Sequence, residues 1–169
     1  SSLFGRVSYN FDERYMLQAT IRRDGSSRFG TNNKYGTFPS VSLGWNVMNE
    51  KFMESTRNWL TNLKIRASWG KNGNDNIGDF RYTTLTSMGN NVLFGKDAIK
   101  YNGSKSNGLA NPDLKWEESE QIDLGIDLRM LNDRLSSGFD YYEKKTKDLI
   151  VTGITPSLIV GNTTSAMNA

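Results

Sequence analysis

Residues 121–129 read QIDLGIDLR. Ile122, Leu124, Ile126 and Leu128 alternate with Gln121, Asp123, Gly125, Asp127 and Arg129. Successive side chains of a strand point to opposite faces, so the stretch makes a strand with one apolar and one polar side. Helical spacing would scatter the same residues around a cylinder. The pattern recurs. Val41, Leu43, Trp45 and Val47 alternate with Ser40, Ser42, Gly44 and Asn46, and Leu63, Ile65, Ala67 and Trp69 alternate with Lys64, Arg66, Ser68 and Gly70. Tyr15, Leu17, Ala19 and Ile21 repeat it against Met16, Gln18, Thr20 and Arg22. Segments 3–11 and 135–144 follow the same rule less cleanly, giving six strands in an all-β fold.

The connections between these strands are unequal. Asp12-Glu13-Arg14 and Asn132-Asp133 are tight turns, and NEKFMESTRNWL at 49–60 predicts a short helix or irregular turn within a connector at 48–61. A longer loop at 24–37 and an excursion from 71 to about 113 join the others. RYTTLT (81–86) and NVLF (91–94) predict a small hairpin inside the excursion. With strands alternating in direction, the short connections gather at one rim and the long loops at the other. That asymmetry is the one expected of outer-membrane barrels. Phe11, Tyr15 and Trp45 then lie toward the short-turn rim on the apolar side, and Trp69, Trp116 and Tyr141 toward the long-loop rim. Amphipathic rings favour the headgroup level, so two such girdles suit a barrel. An antiparallel sheet whose apolar side covers a water-excluded core alternates in the same way, and the pattern alone leaves both open.

Composition narrows the chemistry. The 169 residues contain no cysteine and no histidine, which removes disulfides, thiolate metal sites and the commonest general base. No metal, cofactor or catalytic site is expected, and a net charge of +3 without basic runs gives nucleic-acid binding little support. No stretch approaches the roughly 18 apolar residues of a membrane helix, a test that membrane strands do not meet either. SSLFGRVSYN has no signal-peptide pattern.

Several segments invite sharper readings. WGKNGNDNIGD (69–79) lacks the Ser or Thr that follows Gly-Lys in a phosphate loop, because Asn72 follows Gly70-Lys71. Asn72, Asn74 and Asn76 supply oxygens for calcium, but the glycine comes one residue late and no glutamate closes the loop. Glu117, Glu118 and Glu120 offer paired carboxylates for glycoside hydrolysis, yet a strand sends Glu117 one way and Glu118 and Glu120 the other. Asn102-Gly103-Ser104 and Asn162-Thr163-Thr164 match the glycosylation sequon. Phe80, Tyr82, Phe94 and Tyr101 are candidates for ligand or partner contacts, since sugars stack on aromatic faces; the alternative is that they pack the loop's own small core. In IRRDGSSRFG (21–30), Arg23, Asp24, Gly25, Ser26, Ser27, Arg28 and Phe29 make a rim loop. Its charges are expected to pair and fix the loop rather than act on substrate.

Six strings occur in order: GRVSYNFDERYML, RRDGSSRFG, FPSVSLGWNV, LKIRASWGKNGN, NPDLKWEESEQIDLGIDL and LNDRLSSGFDYYEKKTKDLI. Together, from about residue 4 to 162, the series resembles the C-terminal half of the barrel in SusC/RagA-type TonB-dependent outer-membrane transporters. The resemblance implies an antiparallel up-and-down transmembrane β-barrel segment, with long extracellular loops and short periplasmic turns. The whole barrel would have about 22 strands around a plug. It also implies an importer of oligosaccharides or peptides in the Gram-negative outer membrane, energised through TonB and working with a SusD-like surface lipoprotein. On this reading 1–169 is a fragment of the barrel domain, without plug, TonB box or signal peptide, and not an enzyme. Leu43, Trp45, Leu63, Ile65, Leu124 and Ile126 are expected to face lipid. Arg22, Lys64, Arg66, Asp123, Asp127 and Asp140 are expected to face the hydrated lumen. The competing expectation is an all-β glycan-binding module that is not in a membrane and uses the 71–113 loop.

Overall fold

The computed structural model describes residues 1–106, 109–151 and 166–169. They divide into two compact units. One comprises Ser1–Asp24, Gly36–Gly73 and Glu118–Thr146; the other comprises Gly25–Tyr35, Asn74–Glu117 and the described part of Lys147–Ala169.

The first unit is built on a six-stranded sheet. Its strands are β1 (Ser2–Phe11), β2 (Tyr15–Gly25), β3 (Tyr35–Asn46), β4 (Leu60–Asn74), β7 (Glu117–Met130) and β8 (Leu135–Lys147), hydrogen-bonded in the order β1-β2-β3-β4-β7-β8. All six expected strands are present, and each extends beyond its alternating stretch at one end at least, although β3 stops at Asn46 and leaves Val47 to the connector. The sheet is not closed on itself.

Register puts like with like. Across β1 and β2, Val7 faces Ala19, Tyr9 faces Leu17 and Phe11 faces Tyr15, while Ser8 faces Gln18 and Arg6 faces Thr20. Across β3 and β4, Val41 faces Trp69, Leu43 faces Ala67 and Trp45 faces Ile65; the polar set pairs Ser42 with Ser68, Gly44 with Arg66 and Asn46 with Lys64. A one-residue slip would exchange the two faces, so the register and the hydrophobic pattern fix each other. The apolar face is not packed on a core. Val7 is 70% exposed, Leu43 54%, Leu124 51% and Phe139 70%. An open apolar sheet face on this scale fits a hydrocarbon solvent and contradicts a face folded onto a water-excluded core.

The short connections close tightly. The Arg14 amide donates to the Phe11 carbonyl at 2.9 Å, with Asp12 and Glu13 both at φ +52°, which is a two-residue turn of the type that matches strand twist. Leu131, Asn132 and Asp133 also have positive φ, and the Arg134 amide closes that turn on the Leu131 carbonyl at 3.3 Å. The predicted connector helix is two short 3₁₀ turns, Val47–Asn49 and Lys51–Thr56, with Val47 and Met48 buried.

The second unit carries its own small core of Phe29, Ile77, Leu114, Trp116 and Ala166, all buried. It holds the hairpin of β5 (Thr86–Phe94) and β6 (Ile99–Ser106), and the short pair β9 (Ile150–Val151) and β10 (Met167–Asn168). The excursion's hairpin therefore differs from the expected one. Residues 91–94 pair with 99–102, not with 81–86. Gly95, at φ +76°, and the bond from the Ala98 amide to the Gly95 carbonyl place the turn at 95–98, whereas a turn at Phe80–Thr83 occupies RYTT. Trp116 also departs from expectation. It precedes the first residue of β7, so the alternation does not govern it; it is 9% exposed, with its ring 5.1 Å from that of Phe29.

Candidate functional site

Two groups of residues carry the chemistry, one in each unit. On the polar face of the sheet, Gln18, Ser42, Lys64, Arg66, Asp123 and Asp140 help line a depression of about 430 Å³. Its charges are organised. The Arg66 guanidinium donates from Nε and Nη2 to both Asp127 oxygens at 2.8 and 3.0 Å, and from Nη2 to Asp140 Oδ1 at 2.9 Å. A planar fork on a carboxylate is the strong form of an ion pair. Asp123 accepts from Ser68 Oγ at 3.0 Å and Gln121 Nε2 at 2.8 Å. A second polar depression beside it is lined by Ser40, Ser68, Asn72 and Gln121 among others. Such a surface of hydroxyls, amides and matched charges suits water and polar solutes.

The apolar face is edged by rings with polar handles. Phe11 and Tyr15 stack at 6.5 Å between centroids, and Tyr15 and Trp45 at 6.4 Å. Tyr15 Oη and Trp45 Nε1 both donate to Glu50 Oε1, at 2.6 and 3.1 Å. The Tyr15 hydrogen bond and then that of Trp45 hold the Glu50 carboxyl below its ordinary range, outweighing the opposing effect of partial burial, with the Arg14 charge adding the least. Nothing in the sequence around Glu50 marks it as this acceptor. At the other end of the band, Trp69 Nε1 donates to Glu120 Oε1 at 2.8 Å, and Tyr141 is 56% exposed.

In the second unit the rim loop is tied inward. Arg28 reaches Asp79 from Nε at 3.1 Å and the Asp75 carbonyl from Nη1 at 3.0 Å. The buried Ser26 accepts from the Arg28 amide through Oγ, and its own amide donates to the Lys34 carbonyl. Phe29 fills the core; Gly25 ends β2 and Ser27 is exposed. Within the first unit, Asp24 accepts from Arg22 and Ser2, and Arg23 stands opposite Leu3.

The four candidate aromatics are not one cluster in sequence or in secondary structure. Phe80 is 56% exposed in a turn with φ +59°; Tyr82 is half-buried, its Cβ beside Gly30. Tyr101 is 55% exposed on β6, opposite Val92, and Phe94 ends β5 opposite Ile99. Polar groups of 69–79 take protein partners: Asn74 Oδ1 accepts from the Asn76 amide, Asn74 Nδ2 donates to Glu117, and Asp75 and Asp79 accept from Arg28. Glu117 also accepts from the Ile150 amide, and Glu118 stands 4.0 Å from Lys71. The three carboxylates thus take separate structural partners. Asn102-Gly103-Ser104 lies on β6, and Asn162-Thr163-Thr164 lies outside the described residues.

One tie escaped the sequence reading. The Asn168 side chain pairs like a backbone unit with Lys115, accepting from its amide and donating to its carbonyl, both at 3.0 Å. It also donates to the Asp148 carbonyl at 2.8 Å. No local pattern signals an asparagine that acts through a segment so distant in the chain.

Comparison with known proteins bears on both groups. The family model described as TonB dependent receptor-like, beta-barrel matches residues 1–169. TonB-dependent receptor P3 of Formosa agariphila is 43% identical over 149 residues, covering 88% of this chain and 14% of that protein. TonB-dependent receptor SusC of Bacteroides thetaiotaomicron is 40% identical over 150 residues, 88% of this chain and 15% of that protein. The structure of the RagAB peptide importer in its closed-closed state aligns with a TM-score of 0.85 and 32% identity, over 99% of this chain and 18% of that one. The chain thus spans about a seventh of the length of the curated relatives it matches.

Proposed function

The chain belongs to the TonB-dependent receptor-like β-barrel family, and on that premise we propose that it forms part of the barrel wall of an outer-membrane importer. The family is one of outer-membrane receptors and transporters rather than enzymes. We propose further that the cargo is an oligosaccharide or a peptide, that uptake is energised through TonB, and that a SusD-like surface lipoprotein is the partner. The observation that carries the reading is the likeness to the RagAB importer, at 32% identity over 99% of the chain. The two-sided sheet supports it, with apolar residues toward hydrocarbon and Arg66, Asp123, Asp127 and Asp140 toward a hydrated interior.

In this reading the six-stranded sheet is wall and the excursion between β4 and β7 is extracellular. Phe80, Tyr82, Phe94 and Tyr101 are its contacts for cargo or partner. The 23–29 loop fixes the rim. No residue of the segment carries out catalysis. Alanine at each of the four aromatics in the full-length protein tests the contact assignment, with uptake of labelled oligosaccharide or peptide and co-purification of the lipoprotein measured separately. Loss of uptake or of co-purification at one or more positions is expected. Unchanged values in both assays at all four would remove the assignment. Retained uptake after deletion of the whole protein would remove the importer reading.

A further inference from the structure

Gly125 sits where β4, β7 and β8 exchange charge, and the geometry points to a role for it that its small size alone defines. We propose that Gly125 is an open lane through which Arg66 of β4 reaches Asp140 of β8 across β7, locking the register of β4 against the β7–β8 hairpin.

The need for a lock follows from topology. β1 and β2 are joined by a two-residue turn that allows one register. β4 and β7 are neighbours in the sheet but are joined through the whole excursion, so no turn fixes their pairing. A long loop constrains its ends weakly. Alternation excludes a slip of one residue, because that would exchange faces, but it permits a slip of two. Something other than hydrophobicity must choose among the even slips.

The Arg66 fork makes that choice. It grips Asp127 with two hydrogen bonds and Asp140 with a third. A Cβ at position 125 would stand 2.5 Å from Asp140 Oδ1, 2.9 Å from Arg66 Nη2 and 3.0 Å from Arg66 Cζ. A side chain there would take the space in which the ends of Arg66 and Asp140 meet, so the bond could persist only if these two flexible ends shifted. Moving β7 by two residues would bring Asp123 or Asp127 into the lane, and both carry side chains. The lane is open in one register only. Ser68, two residues from Arg66, hydrogen-bonds Asp123, two residues from Gly125, and so reads the same register independently. Glycine inside a strand commonly marks such a close approach.

The test uses the full-length protein in its membrane, with cysteines at Ser68 and Asp123 as a register probe under mild oxidation. Gly125→Ala and Asp140→Asn are each expected to lower the cross-link yield several-fold. The double variant should fall no further than the worse single one, because both remove one contact. Arg66→Lys keeps the charge but loses the fork, and is expected to lower the yield as well. Should Gly125→Ala fail to insert, Asp140→Asn and Arg66→Lys carry the test. The lock is overturned if Gly125→Ala or Arg66→Lys cross-links as well as the parent, or if the losses of Gly125→Ala and Asp140→Asn multiply.

Discussion

The two units of this chain differ in where their apolar side chains are gathered. In the second unit a small apolar cluster is hidden, with Leu114 at 0% exposure and Phe29 at 3%, while the β5–β6 hairpin leaves Met88, Leu93 and Tyr101 exposed. In the six-stranded sheet a band of apolar side chains stands outward, with Leu3 at 75% and Leu43 at 54%, although Phe38 and Leu60 are buried, while Arg66 pairs with Asp127 and Asp140 on the opposite face. The same amino acids are therefore being sorted against two solvents. On the proposed reading, water meets one unit and hydrocarbon meets one face of the other.

The contrast can be broken most severely in the small core. Leu114→Ala removes the one fully buried large side chain among the described residues, and a substitution of this kind costs about 2–5 kcal/mol where the site cannot collapse. Hydrogen exchange should speed up at Phe29, Ile77 and Trp116 while the amides of β1 to β4 keep their protection. Equal loosening of both units would mean that they do not fold as separate compact bodies. Arginine in the apolar band comes next. Leu124→Arg should cost about 2–4 kcal/mol of stability in a bilayer. Asp123→Arg, on the hydrated face, should lose only its bonds to Ser68 and Gln121. Denaturant titration in vesicles compares them, and equal tolerance at 123 and 124 would refute the assignment of faces.

The smallest effect belongs to the aromatic rim. Glu50 is held below its ordinary 4.5 chiefly by the Tyr15 hydroxyl and then by the Trp45 indole. A carboxyl depressed by folding adds stability that is present above its unfolded value and is lost as pH falls through the folded one. Below about pH 4.5, then, the rim contribution should fade, and Glu50→Gln should flatten that acid limb. Tyr15→Phe should move the Glu50 titration back toward its ordinary value by NMR. An unmoved titration would show that the 2.6 Å bond does not hold the carboxylate.

Much of the sheet was legible because period-two alternation is a local property, and 121–129 displays it almost without interruption. Strand ends were not, since Lys71, Gly73, Glu118 and Glu120 break the pattern where the strands leave the apolar band. Trp116 was misplaced for the same reason: it was read as one more outward ring, but it precedes β7 and packs on Phe29. The second unit's core draws on positions 29, 77, 114, 116 and 166, which no single window of sequence brings together. Gly125 looked like one polar-face position among several; only the crossing of Arg66 shows what its missing side chain admits.

The central claim is that the two faces of one sheet meet different solvents. Single cysteines carrying a fluorophore at Leu17, Leu43 and Leu124, and at their neighbours Gln18, Ser42 and Asp123, test it in the full-length protein reconstituted with brominated lipids. Strong quenching at 17, 43 and 124 with little at 18, 42 and 123 is the predicted result. Equal quenching within the pairs, or stronger quenching at 18, 42 and 123, would contradict it.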